Sequence, residues 1–166
     1  MDENTSENLS SGTADGSQDT EDSSQYEKYL IFSVRDKRYA LPSGLISEVT
    51  AFDKVFPLPL IPPYLLGIIN RYSVPYALID LGFLFYGDAS EAKKVIVLKE
   101  NVEKTALLID DVTDITDIAL NNLINNEQED DEVSGLVSGL FEWKDMPVFC
   151  LDVGELINRI RQDLEN

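Results

Sequence analysis

Short runs of apolar residues, several of them alternating with polar ones, follow one another along most of the chain. This pattern is typical of β-strands that bury at least one face. Residues 29–34, 38–41 and 147–153 are clear examples, and about ten such runs are separated by turn signals. That arrangement favours barrels or a sandwich over a βαβ layout. Residues 154–164 differ because their apolar positions recur at helical spacing, which predicts an amphipathic C-terminal helix.

Two segments in the first half of the chain are echoed in the second. Pro75–Leu81 and Pro147–Val153 both read Pro-x-x-x-aliphatic-Asp-aliphatic, and Leu45–Thr50 is echoed by Leu108–Thr113. The offsets of 72 and 63 residues differ by the length of a loop insertion. We therefore predict one β-rich module used twice, as two small barrels that share a seam. Asp80, which ends the first echo strand, is expected to cap a brief helical turn.

Composition divides the chain into three parts. Residues 1–26 contain seven acidic and no basic residues and almost no large apolar side chains. We expect a disordered acidic tail there, because such a segment cannot bury enough apolar surface to offset its chain entropy. Residues 27–160 would form one domain of two barrel subdomains, followed by the end of the C-terminal helix in 161–166. The polar stretch 121–134 is expected to be a solvated loop.

Charge and missing residue types exclude several classes of function. With 31 acidic against 13 basic residues, the net charge of −18 repels nucleic acid and anionic membranes, so we expect neither as a partner. The polar start and the lack of a long apolar run predict a cytoplasmic protein. Because the chain has no histidine, one cysteine and no glycine-rich phosphate loop, we expect no cofactor or metal site, and an enzyme would have to rely on carboxylates alone.

The remaining candidates for chemistry have simple structural interpretations. Cys150 lies among apolar neighbours and is predicted to be a small buried side chain. Asp110 and Asp111 are adjacent in a strand-like segment, so their carboxylates should point to opposite faces and not share one site. The acidic run 127–132 lacks the spaced ligands of a calcium loop and is interpreted as solvated charge.

A series of short motifs runs in a fixed order through the first half. An aromatic-aliphatic strand and a charged turn lead to Tyr39, then come Ile46–Val49 (aliphatic-x-Glu-aliphatic), a proline-bearing connector, Gly67–Asn70 (Gly-aliphatic-aliphatic-Asn) and Ile79–Leu81 (aliphatic-Asp-Leu). In this order and spacing the chain resembles the CheW-like family of bacterial chemotaxis adaptors. The second half fits more loosely through residues 95–98, 108–112, 138–140 and 150–153, so that the resemblance covers about residues 27–160.

The resemblance implies a mainly β fold: two small five-stranded, SH3-like barrels packed around a shared core, with a short C-terminal helix. It implies a scaffold, not an enzyme. The scaffold would join the cytoplasmic tip of a methyl-accepting chemoreceptor to the histidine kinase CheA, whose regulatory domain is itself CheW-like. The protein would then be cytoplasmic, at membrane-associated chemoreceptor arrays, without inserting into the membrane.

The resemblance also implies site residues. The kinase-binding surface would lie in the first half, at Ile46, Glu48, Leu66 and Gly67. The receptor tip would lie across the groove between the barrels, at Lys94, Val95, Asp111 and Val112. Structural or coupling roles would fall to Asn70, Tyr72 and Asp80. Gly67 has two interpretations, close approach of a partner or simple turn geometry.

The chain departs from the family pattern after Asn70. The family has an arginine and a glycine where this chain has Tyr72 and Ser73, and Arg71 stands one position early. In a strand that shift moves the guanidinium to the other face, away from Glu48, the residue with which the family arginine would pair. We therefore expect the Tyr72 hydroxyl, and not Arg71, to hydrogen-bond Glu48.

Two alternatives to a coupling adaptor stay open. A divergent or decoy member of the family would have kept only one of the two partners. A small-ligand-binding β-barrel, or an enzyme that relies on carboxylates, would be unrelated to signalling.

Overall fold

The computed structural model of the protein describes residues 25–125 and 133–166. The acidic run and most of the predicted tail lie outside these ranges, and the first strand begins at Tyr26, the last residue assigned to that tail. In chain order the strands are β1 (Tyr26–Val34), β2 (Lys37–Pro42), β3 (Ile46–Ala51), β4 (Leu65–Arg71), β5 (Val74–Asp80), β6 (Lys94–Leu98), β7 (Thr105–Ile109), β8 (Asp111–Ala119), β9 (Ile124–Asn125), β10 (Val137–Trp143) and β11 (Met146–Leu151). Helix α1 (Leu81–Tyr86) follows β5, and helix α2 (Val153–Glu165) follows β11.

The strands form two sheets with the same internal order. The six-stranded sheet runs β8-β1-β2-β11-β10-β9, and the five-stranded sheet runs β3-β6-β7-β5-β4. In both, the first three strands pair antiparallel, the third pairs parallel with the fourth, and the fourth and fifth form an antiparallel hairpin. The echoes in the sequence therefore mark equivalent places, since one contains β5 and β11 and the other leads into the edge strands β3 and β8.

The equivalence extends to the ends of the paired hairpins. The turn between β4 and β5 and the turn between β10 and β11 each contain two consecutive residues with positive φ, as hairpin turns matched to the twist of the strands require. These are Tyr72 and Ser73 in one hairpin, and Lys144 and Asp145 in the other. Both hairpins are followed by a helix capped by an aspartate, which confirms the predicted cap at Asp80.

The sheets do not follow the two halves of the sequence. Strands β1 and β2 come from the start of the chain, yet they pair with β8 and β11 from its end. The six-stranded sheet therefore joins strands from both halves of the chain. Alternation within a strand shows which face is buried, but it contains no information on which distant strand will pair with it.

Three apolar clusters hold the sheets together. Each sheet has a private cluster on one face: Tyr29, Ile31, Ala40, Ile118, Phe141, Val148 and Cys150 in the six-stranded sheet, and Ile69, Tyr76, Leu78, Val95, Val97, Ala106 and Leu108 in the five-stranded sheet. The largest cluster combines residues from both sheets with Val153, Leu156 and Ile160 of α2. This confirms a mainly β protein built around a shared core.

The predicted loop 121–134 was only partly correct. Residues 126–132 lie outside the described ranges, while Ile124–Asn125 forms β9 and pairs with Leu140 and Gly139 of β10. The sequence did not indicate this strand, because it has only two residues and both are exposed. No alternation of apolar and polar positions marks it.

Helix α2 is tied to the connector between β3 and β4 by a polar contact. The hydroxyl of Tyr64 donates to Asp163 Oδ2 at 2.5 Å, and Arg159 Nε donates to the same oxygen at 3.0 Å. The hydrogen bond from Tyr64, together with Arg159, holds the pKa of the Asp163 carboxyl below its usual range. The tie therefore stabilises the folded protein while Asp163 is ionised.

We expect Tyr64→Phe to lower the free energy of unfolding at neutral pH by about 1 kcal/mol, the typical value of one hydrogen bond. A carboxyl whose folded pKa is depressed contributes stability above its unfolded pKa and loses it as the pH falls through the folded pKa. Urea unfolding between neutral pH and about pH 3 should therefore show a shallower acid loss in the variant. Tyr26→Phe, at a half-exposed tyrosine of β1, is the control. Identical acid slopes for Tyr64→Phe and the wild type would contradict the assignment.

Candidate functional site

An ion pair joins the two edge strands of the five-stranded sheet. Glu48 lies on β3 and Arg71 on β4, which are at opposite ends of the strand order. Arg71 Nε donates to Glu48 Oε1 at 2.8 Å, and both side chains are about three-quarters buried. The hydrogen bond with Glu48 raises the pKa of the guanidinium. The sheet is thus curled until a side-chain bridge connects its edges.

This geometry corrects the expectation for Tyr72. Tyr72 lies in the hairpin turn with φ of 51° and is 84% exposed. The hydrogen bond to Glu48 is donated by Arg71 instead. The expectation treated residue 72 as part of the strand, whereas β4 ends at Arg71 and residue 72 lies in the turn. Arg71 follows Ile69 on the same face, as the period of two requires, and its guanidinium also lies 5.1 Å from the centroid of the Tyr72 ring.

Gly67 has a steric role that can be stated from its surroundings. Its φ is +139°, and a Cβ added there would lie 2.2 Å from the carbonyl oxygen of Phe56. Phe56 exchanges two backbone hydrogen bonds with Ile68, at 2.8 and 2.9 Å, so the connector runs directly over the glycine. The backbone that approaches Gly67 closely is therefore that of Phe56, in the same chain.

The other predicted kinase-binding residues flank this bridge. Ile46 begins β3 and packs against the shared core, with part of its side chain accessible. Leu66 is partly buried against the private cluster of the five-stranded sheet. Together with Glu48 and Gly67 they lie on the two edge strands that Arg71 connects; we call this region the edge bridge.

A second ion pair connects the two sheets. Lys94 at the start of β6 donates to the carboxylate of Asp111 at the start of β8. Both side chains are more than half exposed. The bond from Lys94 and the N–H of Val112, at 2.8 Å, lower the pKa of the Asp111 carboxyl. We call this pair and Val112, which packs against the shared core, the seam.

Val95 does not belong to the exposed part of the seam. Its side chain is fully buried in the private cluster of the five-stranded sheet. Direct contact between Val95 and a partner would require the sheet to open. Its role in this structure is to fix the strand that presents Lys94.

Two further predicted residues have distinct positions. Asn70 is exposed on β4 and pairs with Pro75 across the hairpin. Asp80 is 1% exposed, and its carboxylate accepts from the N–H of Phe83 at 3.1 Å and from the N–H of Ser90 at 3.0 Å. Asp80 therefore holds both α1 and the segment that leads to β6.

The sequence interpretation missed a tether at Arg35. Arg35 lies in the charged turn between β1 and β2, and its Nη2 donates to the carbonyl oxygen of Asp88 at 2.9 Å and to its Oδ1 at 3.0 Å. Asp88 follows α1, which belongs to the other sheet. Only the paired topology places these residues together, so no local signal pointed to them.

The groups that could perform chemistry are separated or buried. Cys150 is buried, and burial raises the pKa of its thiol to about 12. Asp110 accepts from the backbone N–H of Arg35, whereas Asp111 pairs with Lys94, so the two carboxylates have different partners. Within the described ranges, no group of three or more histidine, cysteine, aspartate or glutamate residues is arranged to hold a metal ion. No helix among those residues is long and apolar enough to cross a membrane.

Comparison with known proteins now identifies the fold. The crystal structure of scaffolding protein TtCheW from Thermoanaerobacter tengcongensis matches with a TM-score of 0.68 and 21% sequence identity, over 77% of this chain and 90% of that one. The chain is thus a mainly β protein with the double-sheet fold of that scaffolding protein.

The sequence comparisons are more specific. A model of the CheW-like domain family matches residues 28–161, and on this evidence the chain belongs to the CheW-like family. Chemotaxis protein CheW of Bacillus subtilis (strain 168) is 24% identical over 115 residues, which cover 65% of this chain and 73% of that protein.

Proposed function

We propose that this protein is a chemotaxis adaptor, not an enzyme, that couples the cytoplasmic tip of a chemoreceptor to the histidine kinase CheA at cytoplasmic receptor arrays. The observation that carries the proposal is the presence of two separate polar bridges on one core. The edge bridge lies within the five-stranded sheet, and the seam joins this sheet to the other. A coupling protein needs two binding sites whose relative position is fixed by the body between them.

The edge bridge is the proposed kinase-facing surface. Its edge strands offer partly accessible apolar side chains beside an ion pair, and protein interfaces likewise combine apolar contacts with polar ones. CheA would contact Ile46, Glu48 and Leu66 there, and Gly67 would keep the neighbouring backbone close to the sheet. The pairing of Glu48 with Arg71 supports this assignment, because it joins the two edge strands that carry these residues.

The seam is the proposed receptor-facing surface. Lys94 and Asp111 are exposed charges of opposite sign, and Val112 provides apolar area beside them. A receptor tip is a helical hairpin, and it would lie in the groove between the sheets. In this assignment Val95 acts only through the position of Lys94.

The test is a pair of pull-downs of the full chain with CheA and, separately, with a receptor cytoplasmic fragment from the same cell. We expect Glu48→Gln to weaken kinase binding by about tenfold, since a hydrogen bond to a charged group contributes about 1.5–3 kcal/mol. Receptor binding should be unchanged. The double variant Lys94→Asp with Asp111→Lys can still form an ion pair, but the positive and negative charges exchange strands. We expect it to weaken receptor binding and to leave the melting temperature and kinase binding unchanged.

The outcomes separate the remaining alternatives. Binding to both partners with this division of effects establishes coupling. Binding to only one partner identifies a decoy or specialised adaptor. Binding to neither overturns the proposal and favours a ligand-binding barrel.

A further inference from the structure

The connector between β3 and β4 presents a leucine to solvent at an unfavourable backbone position. Leu60 is fully exposed, at 103%, and has φ of 58°. Pro59 precedes it in a turn, the arrangement of type II turns, in which the residue after proline is usually glycine or asparagine. Pro57, Pro62 and Pro63 complete a proline-rich segment.

Neither the backbone nor the core benefits from leucine at this position. A side chain with a Cβ is unfavourable in the left-handed region, which only glycine, asparagine and aspartate adopt readily. Full exposure means that the leucine recovers nothing by burial in its own chain. Phe56 and Leu58, on the same connector, are also 45% and 44% exposed. Three large apolar side chains exposed on one short segment are typical of a protein contact, and Leu60 is the most exposed of the three.

We propose that Leu60, flanked by Leu58 and Phe56, inserts into an apolar pocket on the CheW-like regulatory domain of the kinase. This inference rests on the adaptor function proposed above and names the contact that would determine affinity at the kinase-facing surface. The proposal makes the connector, and not only the edge strands, part of that surface.

The physical character of the connector selects this class of partner. The segment protrudes, so its partner must be concave. Four prolines remove N–H donors along it, which excludes recognition by strand addition and leaves insertion of side chains. Residues 55–64 contain no charged side chain, so an apolar pocket, not an ionic one, is the complement.

The position of the connector points to the kinase-facing side. Phe56 pairs through its backbone with Ile68 and covers Gly67. The exposed side chains of the connector therefore lie next to the edge bridge. Both surfaces can therefore be covered by one partner. The seam, in contrast, is formed by strands β6 and β8.

Charge opposes two other occupants. A net charge of −18 repels an anionic membrane, and it also repels a second copy of this chain. A second copy is nevertheless a concrete competitor, because a groove of about 510 Å³ lies between α2 and the start of β3, lined in part by Leu45, Leu151, Val153 and Ile157.

The test measures binding of the full chain to the isolated regulatory domain of CheA by titration calorimetry. We expect Leu60→Asn to weaken binding at least about tenfold, because asparagine cannot replace the apolar surface that leucine would bury in the pocket. The same variant should keep or raise the melting temperature, since asparagine tolerates positive φ. Ile115→Asn, at a 56% exposed residue of β8 in the other sheet, is the matched control and should bind as wild type.

Each result decides the inference. If wild type binds and Leu60→Asn binds equally well, the inference fails while the adaptor function stands. If wild type does not bind the domain, both fail. Sedimentation velocity and co-sedimentation with phosphatidylglycerol vesicles provide the remaining arms. Self-association or vesicle binding that Leu60→Asn abolishes, with kinase affinity unchanged, would assign the leucine to another occupant and overturn the proposal.

Discussion

Gly67→Ala is expected to destabilise the protein by on the order of 4 kcal/mol, a large part of the roughly 5–15 kcal/mol that holds a typical domain folded. The added methyl group would lie 2.2 Å from the carbonyl oxygen of Phe56 and 2.9 Å from Cα of Pro57. Both are backbone atoms, so no side-chain rotation can relieve the contact. The backbone hydrogen bonds between Phe56 and Ile68 would have to lengthen or break, which would detach the connector from β4.

Substitutions at two other glycines distinguish the steric clash at Gly67 from the backbone cost of its positive φ. Gly87 also has positive φ, but a Cβ there would meet no atom within 4 Å, so Gly87→Ala should show only the backbone cost of about 1 kcal/mol. Gly44 has open space and no positive φ, and Gly44→Ala should be neutral. Urea unfolding monitored by circular dichroism gives the three values. A loss for Gly67→Ala no larger than that for Gly87→Ala would show that the connector yields easily.

Asp80→Ala should have the second largest effect, a loss of about 3 kcal/mol in the free energy of unfolding. The substitution removes a helix cap and leaves the N–H groups of Phe83 and Ser90 without their carboxylate acceptor, in a site where Asp80 is 1% exposed. The segment from Gly87 to Lys93, which Ser90 anchors, should also exchange its amide hydrogens faster.

The duplicated fold supplies the control for this prediction. Asp152 occupies the equivalent place at the start of α2 and accepts one backbone hydrogen bond, from Glu155, at an exposed site. Asp152→Ala should therefore cost only about 1 kcal/mol, the usual value of a cap. Thermal and urea unfolding of both variants test the difference. Equal losses would mean that the bond to Ser90 adds no stability.

Much of the fold was predictable from the sequence because the repeated elements contain local signals. The proline near the start of β5 or β11 and the aspartate at the end of the segment mark a strand followed by a helix cap, and the structure confirms both. The helical spacing of apolar residues likewise predicted α2, on which Leu156 and Ile160 are buried. These features depend on residues a few positions apart, within the reach of strand and helix periodicity.

The rest depended on contacts between distant parts of the chain. The pairing of β2 with β11 joins residues more than a hundred positions apart, and no periodicity encodes such a choice. The site showed the same limit. Arg71 was placed on the wrong face because its strand ends one residue earlier than the motif implied, and the burial of Val95 depends on the sheet that surrounds it. Leu60 was not predicted as a contact residue, because neither its exposure nor its positive φ can be inferred from a proline-rich sequence.

The order in which the strands are joined has a consequence for synthesis on the ribosome. All strands of the five-stranded sheet lie between residues 46 and 109, so that sheet can assemble as soon as this stretch has emerged. The first hairpin, β1 and β2, emerges earlier, but its pairing partner β11 is not complete until residue 151. The nascent protein should therefore keep one edge of its oldest hairpin unpaired until residue 151 has been made. A chain shortened before β11 would expose that apolar edge, and cells should treat it as a substrate for chaperones and proteases.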